Sequence, residues 1–144
     1  MLFRSCSGLR DNFLKVSPEE FHCVDEIIIA FKGRSLLRQY LPNKSNKWGF
    51  KLWGRSGYSG FLYDFDVYQG KETKSSRTST YGVGASVVIN MTSSLPSGHN
   101  FKVFADNFFT SLPLLDVLKE RAICFTGTIR INRRSEERRV GKEC

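Results

Sequence analysis

Val24-Asp25-Glu26-Ile27-Ile28-Ile29-Ala30-Phe31 carries a run of β-branched residues that is apolar on both faces, the pattern of a central strand covered from both sides. Gly33 closes it, and a basic loop containing Pro42-Asn43 leads to a second strand, Trp48-Gly49-Phe50-Lys51-Leu52-Trp53. Ser56-Gly57-Tyr58-Ser59-Gly60 reads as a turn. In the third strand Phe61, Tyr63, Phe65 and Val67 alternate with Leu62, Asp64, Asp66 and Tyr68. That period of two makes one face partly polar and assigns Asp64 and Asp66 to solvent. Three strands in hairpin succession predict an antiparallel meander.

Downstream the period changes. Residues 69–80 form a polar loop rich in Ser, Thr and Lys. Val83, Val87, Met91 and Leu95 then recur every four residues, predicting an amphipathic helix weakened by Gly82 and Gly84 and closed by Pro96 and Gly98. A short strand over 101–106 follows. Thr110 or Ser111 caps a helix over 112–122, with Leu115, Leu118 and Ala122 on its buried side, and a last strand runs over 124–131. Upstream, residues 1–23 predict only a short turn at Ser17-Pro18-Glu19-Glu20. The expected order is β-β-β-α-β-α-β: an α/β chain with a mixed sheet and helices on its faces, in one domain over residues 1–132. Residues 133–144, polar and charged, are expected to be a non-native or disordered basic tail.

The chain has 22 Lys and Arg against 14 Asp and Glu, a net charge of +8, and 40% hydrophobic residues. The tail holds five of the positive and three of the negative charges, so +6 remains on residues 1–132. This is a globular composition with a bias toward polyanionic partners. No stretch approaches the roughly 18 apolar residues needed to span a bilayer, so no membrane partner is expected. The first residues lack the apolar core of a secretory signal. Cys6, Cys23, Cys124 and Cys144 form no CxxC, and neither His22 nor His99 completes a zinc spacing. The cysteines are expected to be reduced thiols, mostly buried or incidental, in a reducing compartment. The two histidines are expected at the surface.

Between Ile27 and Tyr63 there is no acidic residue, while Lys32, Arg34, Arg38, Lys44, Lys47, Lys51 and Arg55 are interleaved with Tyr40, Trp48, Trp53 and Tyr58. Cations that neutralise phosphates, alternating with aromatic faces that stack on bases, suit nucleic acid; a solvated basic face over core aromatics explains the same pattern. Asp25 lies in an apolar strand, where a carboxylate is costly unless paired or bound to metal. Asp106 ends the fourth expected strand. If the first and fourth strands are neighbours, the two converge and offer the hard oxygen ligands that Mg²⁺ takes. On the residues alone the plainer reading is favoured, that Asp25 ends its strand in solvent and Asp106 starts a turn or caps a helix. Glu26, one residue on, points to the face opposite Asp25.

Several blocks carry a family resemblance: Val24-Asp25-Glu26, Phe31-Lys32-Gly33-Arg34-Ser35, Gln39-Tyr40-Leu41-Pro42-Asn43-Lys44 and Lys47-Trp48-Gly49-Phe50-Lys51. Val67-Tyr68-Gln69-Gly70-Lys71, Ala105-Asp106-Asn107-Phe108-Phe109-Thr110-Ser111 and Gly127-Thr128-Ile129-Arg130-Ile131-Asn132-Arg133 continue it. In this order they resemble the piggyBac transposase-like family and its domesticated derivatives. The resemblance implies an RNase H-like core of the DDE type, in which acidic residues hold two divalent ions, Mg²⁺ or Mn²⁺, for in-line attack on DNA phosphodiesters. By position Asp25 and Asp106 match the first two catalytic, metal-holding aspartates. The family's third aspartate and its cysteine-rich zinc module fall outside these residues, so a C-terminally truncated core is expected. Double-stranded DNA is the implied partner, with Arg130 joining the seven cations above as DNA contacts. A homodimer in the intact parent and a nuclear location are implied as well. The parent is then either a cut-and-paste transposase or a domesticated DNA- or chromatin-binding protein without catalysis.

Overall fold

The computed structural model describes residues 2–70 and 81–129. A helix α1 (Leu2–Leu14) precedes the strands β1 (Phe21–Ala30), β2 (Arg38–Tyr40), β3 (Trp48–Gly57) and β4 (Leu62–Val67). Then come α2 (Val83–Thr92), β5 (Lys102–Ala105), α3 (Leu112–Glu120) and β6 (Cys124–Gly127). The strands form one mixed sheet in the order β2-β3-β1-β5-β6, with β4 also paired to β3. The β1–β3 and β3–β4 pairs are antiparallel and give the expected meander, while β1–β5 and β5–β6 are parallel. The fold is thus mixed α/β, and it adds α1 and the short β2 to the expected order.

Residues 1–23 are not merely a turn. Helix α1 seats Phe13 edge-on against Phe61 and Phe65, at ring distances of 5.8 and 5.9 Å. Strand β1 begins three residues earlier than expected and is central, but only its even positions are covered at its start. His22 and Val24 are buried, whereas Phe21, Cys23 and Asp25 are exposed. The main core lies on this even face, where Val24, Trp53 and Val103 pack against Val88 and Met91 of α2 and Leu114 and Leu118 of α3. Double coverage therefore fails on the odd face, where Ile29 is half exposed.

Helix α2 ends at Thr92, short of Leu95, because Arg121 donates to the carbonyls of Thr92 (2.7 Å) and Leu95 (3.1 Å) and ties off the turn. Val83, at the helix start, is exposed. In α3 the buried stripe is Leu114 and Leu118, with Ala122 exposed in a left-handed turn at φ 53°. Ser111 occupies the cap position, but its side chain makes no capping bond. The last strand ends at Gly127. Arg130, most of the polar loop and the tail over 133–144 lie outside the described residues.

Three further expectations are corrected. His22 is buried rather than exposed, edge-on to Tyr63 at 5.2 Å and tilted on Phe101 at 5.7 Å. Asp64 is fully buried rather than on a solvent face, because Arg10 of α1 grips both its carboxylate oxygens at 2.5 and 3.1 Å. Cys23 and Cys124 are exposed and Cys6 is half-buried, since the strand positions of the first two fall on the uncovered face.

Candidate metal and nucleic-acid site

The parallel pairing of β1 with β5 aligns His22 with Val103, Cys23 with Phe104 and Val24 with Ala105. Asp25 and Asp106 each lie one residue beyond the last aligned pair. Partners across a strand pair share a face, so this register carries both aspartates at neighbouring positions to the odd face, which α1 covers only over Phe65 of β4 and which is open at β1 and β5. Both are exposed. Strands β1 and β5 are neighbours, as convergence requires, while both side chains face solvent and Asp106 also starts a turn; a separation of 81 positions leaves no local trace of the proximity.

The Asp25 carboxylate accepts a 2.7 Å hydrogen bond from the backbone N–H of Glu26. Asp106 accepts one at 3.1 Å from the hydroxyl of Thr128, just past β6, the strand that continues the parallel sheet. Its backbone carbonyl accepts from the Phe109 N–H and the Thr110 hydroxyl, each at 3.0 Å, which closes the turn after β5. That turn is clamped from three sides. Phe108 stacks on Trp53 at 5.6 Å and Phe109 meets the same indole edge-on at 5.5 Å. A Cβ on Gly84 would lie 2.2 Å from the Phe108 carbonyl oxygen, so only glycine lets the start of α2 press against the turn. A Cβ on Gly127 would likewise lie 2.2 Å from the Thr110 hydroxyl.

Two exposed carboxylates side by side suit one hard divalent ion completed by water. Among the described residues no group of three or more His, Cys, Asp or Glu is placed to hold a metal. Glu26 does not help. It turns to the helix-covered face and binds Lys51 (2.9 Å) and Lys44 (3.2 Å). Burial alone would raise its pKa, but the bonds from the two lysines overcome this and hold it below the usual carboxylate range.

The cations divide into three groups. Lys32, Arg34 and Lys47 are exposed and join no ion pair among the described residues. Arg38, Lys44 and Lys51 have structural partners. Arg38 donates to the carbonyls of Lys32 (3.2 Å) and Gly33 (2.9 Å), and Lys51 sits 4.2 Å over the Trp53 ring besides holding Glu26. Arg55 is withdrawn from any surface role. It is 2% exposed and donates to Ser94 Oγ at 2.9 Å, with His22 Nδ1 at 3.4 Å. Desolvation lowers its pKa against the pull of Asp64. The same burial, with the charge of Arg55, pushes His22 down to about 4. Sequence reading missed Thr128 and the purpose of Gly84, although both stand in segments it singled out.

Residues 7–140 match the family model of transposase IS4. PiggyBac transposable element-derived protein 3 of Homo sapiens is 33% identical over 127 residues, which are 86% of this chain and 21% of that protein. PiggyBac transposable element-derived protein 2 of Homo sapiens is 31% identical over 123 residues, 83% of this chain and 20% of that protein. A solved piggyBac transposase synaptic complex with hairpin DNA superposes with a TM-score of 0.70 at 30% identity, covering 83% of this chain and 25% of that one. The fold is that of a transposase domain, and the chain belongs to the piggyBac transposase-like family. It spans about a fifth of the length of these human relatives. DDE-type transposases work with divalent metal ions.

Proposed function

We propose that these residues are the first part of an RNase H-like DDE catalytic core, whose intact parent cleaves and rejoins double-stranded DNA in the nucleus as a homodimer. The observation that carries this reading is the register of β1 and β5, which sets Asp25 and Asp106 side by side on one open face. A bound Mg²⁺ or Mn²⁺ supplies charge neutralisation at a phosphodiester and activation of the attacking oxygen. The residues in hand supply its seat. Asp25 and Asp106 present carboxylate oxygens, the Glu26 N–H and the Thr128 hydroxyl orient them, and the clamped turn fixes the height of Asp106. Lys32, Arg34 and Lys47 take backbone phosphates. Two ions about 3.5–4 Å apart need more carboxylate oxygens than two side chains offer.

The 144-residue chain is therefore expected to leave supercoiled plasmid uncut with either ion. A version extended with the following segments of its parent is expected to nick it, and to lose nicking on Asp25→Ala or Asp106→Ala. Nicking by the short chain that disappears with Asp25→Ala would overturn the need for a further carboxylate. An extended version indifferent to both substitutions would overturn the site.

A further inference from the structure

Carrying the strand register across the sheet places a second group of residues on the face that bears Asp25. Asp25 pairs with Gly54, Ile27 with Leu52 and Ile29 with Phe50, and Phe50 pairs in turn with Arg38 and Trp48 with Tyr40. Trp48, Tyr40 and Arg38 therefore share the face of the two carboxylates. The Phe31 N–H donates to the Trp48 carbonyl, which puts Trp48 level with Phe31, six residues and roughly 20 Å along β1 from Asp25.

The group is built but not covered. Tyr40 and Trp48 touch with ring centroids 4.7 Å apart, and the Arg38 guanidinium lies 4.3 Å from the Trp48 centroid, itself held by the carbonyls of Lys32 and Gly33. Yet Trp48 remains 46% exposed and Tyr40 51% exposed. Trp53, by contrast, is buried under Lys51 and the turn after β5 and offers no free ring face. An exposed indole costs solvation that a core position would avoid, and here it stands beside a segment whose Lys32, Arg34 and Lys47 are exposed and join no ion pair among the described residues.

We infer that Trp48 and Tyr40, steadied by Arg38, form a stacking platform for unpaired bases of a nucleic-acid strand crossing the open face toward Asp25 and Asp106. This rests on the DNA reading above and goes beyond it by naming the form of DNA: aromatic faces accept a base only when it is out of the duplex stack. The cations engage phosphates of paired and unpaired strands alike, so the platform adds preference for the single strand.

The test uses the full chain with a fluorescein-labelled oligo(dT), a duplex of matched length, and poly-glutamate as an anion without bases. Oligo(dT) is expected to bind more tightly than the duplex and to quench the tryptophan emission, with Trp48 as the responding indole. Trp48→Ala is expected to weaken oligo(dT) binding roughly tenfold or more while leaving the duplex nearly unchanged, and Tyr40→Ala to do so less strongly. Trp48→Phe, which keeps a stacking ring, should retain most of the affinity by anisotropy, so a fold defect in the alanine variant does not decide the matter. Lys32→Ala with Arg34→Ala should weaken both DNA forms. If both forms bind and neither Trp48→Ala nor Tyr40→Ala alters the preference, the platform is refuted while the DNA reading stands. Quenching by poly-glutamate equal to that by oligo(dT) also refutes it. If neither DNA form binds at low salt, the DNA reading itself falls.

Discussion

The two faces of β1 use charge in opposite ways. On the helix-covered face, His22 and the cross-strand Arg55 are buried with Asp64 and Arg10 close by, and their partners are other protein groups. On the open face, Phe21, Cys23 and Phe104 line a shallow apolar hollow of about 330 Å³, and Asp25 and Asp106 stand in solvent with one hydrogen bond each. The covered charges tie α1 to β4, and β3 to β1 and to the segment after α2. The open ones contribute little to the fold and are accessible. Charge in this molecule is read by what surrounds it, since the same residue types serve both faces.

The comparison breaks most visibly at Asp64. Replacing it by Ala removes the carboxylate charge that supports the buried Arg55, besides freeing the partly exposed Arg10, and is expected to cost about 3–5 kcal/mol in urea unfolding. A loss below about 1 kcal/mol would mean that water reaches these groups. His22 gives a smaller effect with a definite sign. Its folded pKa of about 4 lies below the ordinary 6.5, so the folded state resists protonation more than the unfolded chain does. The contribution is complete above pH 6.5 and is lost as the pH falls toward 4, by at most about 3 kcal/mol. Melting curves across that window should flatten in His22→Gln; an equally steep loss would assign it to other groups. The smallest effect sharpens the other face. Asp25→Asn and Asp106→Asn should each change stability by no more than about 0.5 kcal/mol. Added Mn²⁺ is expected to raise the melting temperature of the unaltered chain, and each substitution is expected to abolish that rise.

The meander, the helices α2 and α3 and the neighbouring strands that bring Asp25 to Asp106 were legible because each rests on apolar periodicity or on connection rules. Helix α1 was not. Its inward stripe is Cys6, Arg10, Phe13 and Leu14, and a guanidinium in the middle of that stripe hides the helical period. Missing α1 entailed missing the burial of Asp64, since the partner that makes burial tolerable comes from that helix. The alternation of β4 then pointed the wrong way, helped by the register shift opposite Arg55 and Ser56. Arg55 shows the same blind spot. A run of cations looks uniform in sequence, and only tertiary contact separates the one against His22 from those in water. Gly84 was read through helix propensity, where it is a weakness; its use is the close approach to the turn after β5, which no local pattern reports.

The parallel pairing of β1 and β5 also bears on the order in which the molecule is assembled. Pairs between β1 and β3 join residues 19 to 35 positions apart, whereas the pairing that sets the two aspartates together closes 81 positions. The longer closure costs about 1 kcal/mol more in chain entropy. Non-local contacts of this kind are slow to form. The meander therefore has a shorter search than the site that stands on it. Lengthening the chain between β4 and α2 adds only about 0.6 kcal/mol for each doubling of its length. That connection is where the sequence can grow or shrink without separating the two carboxylates.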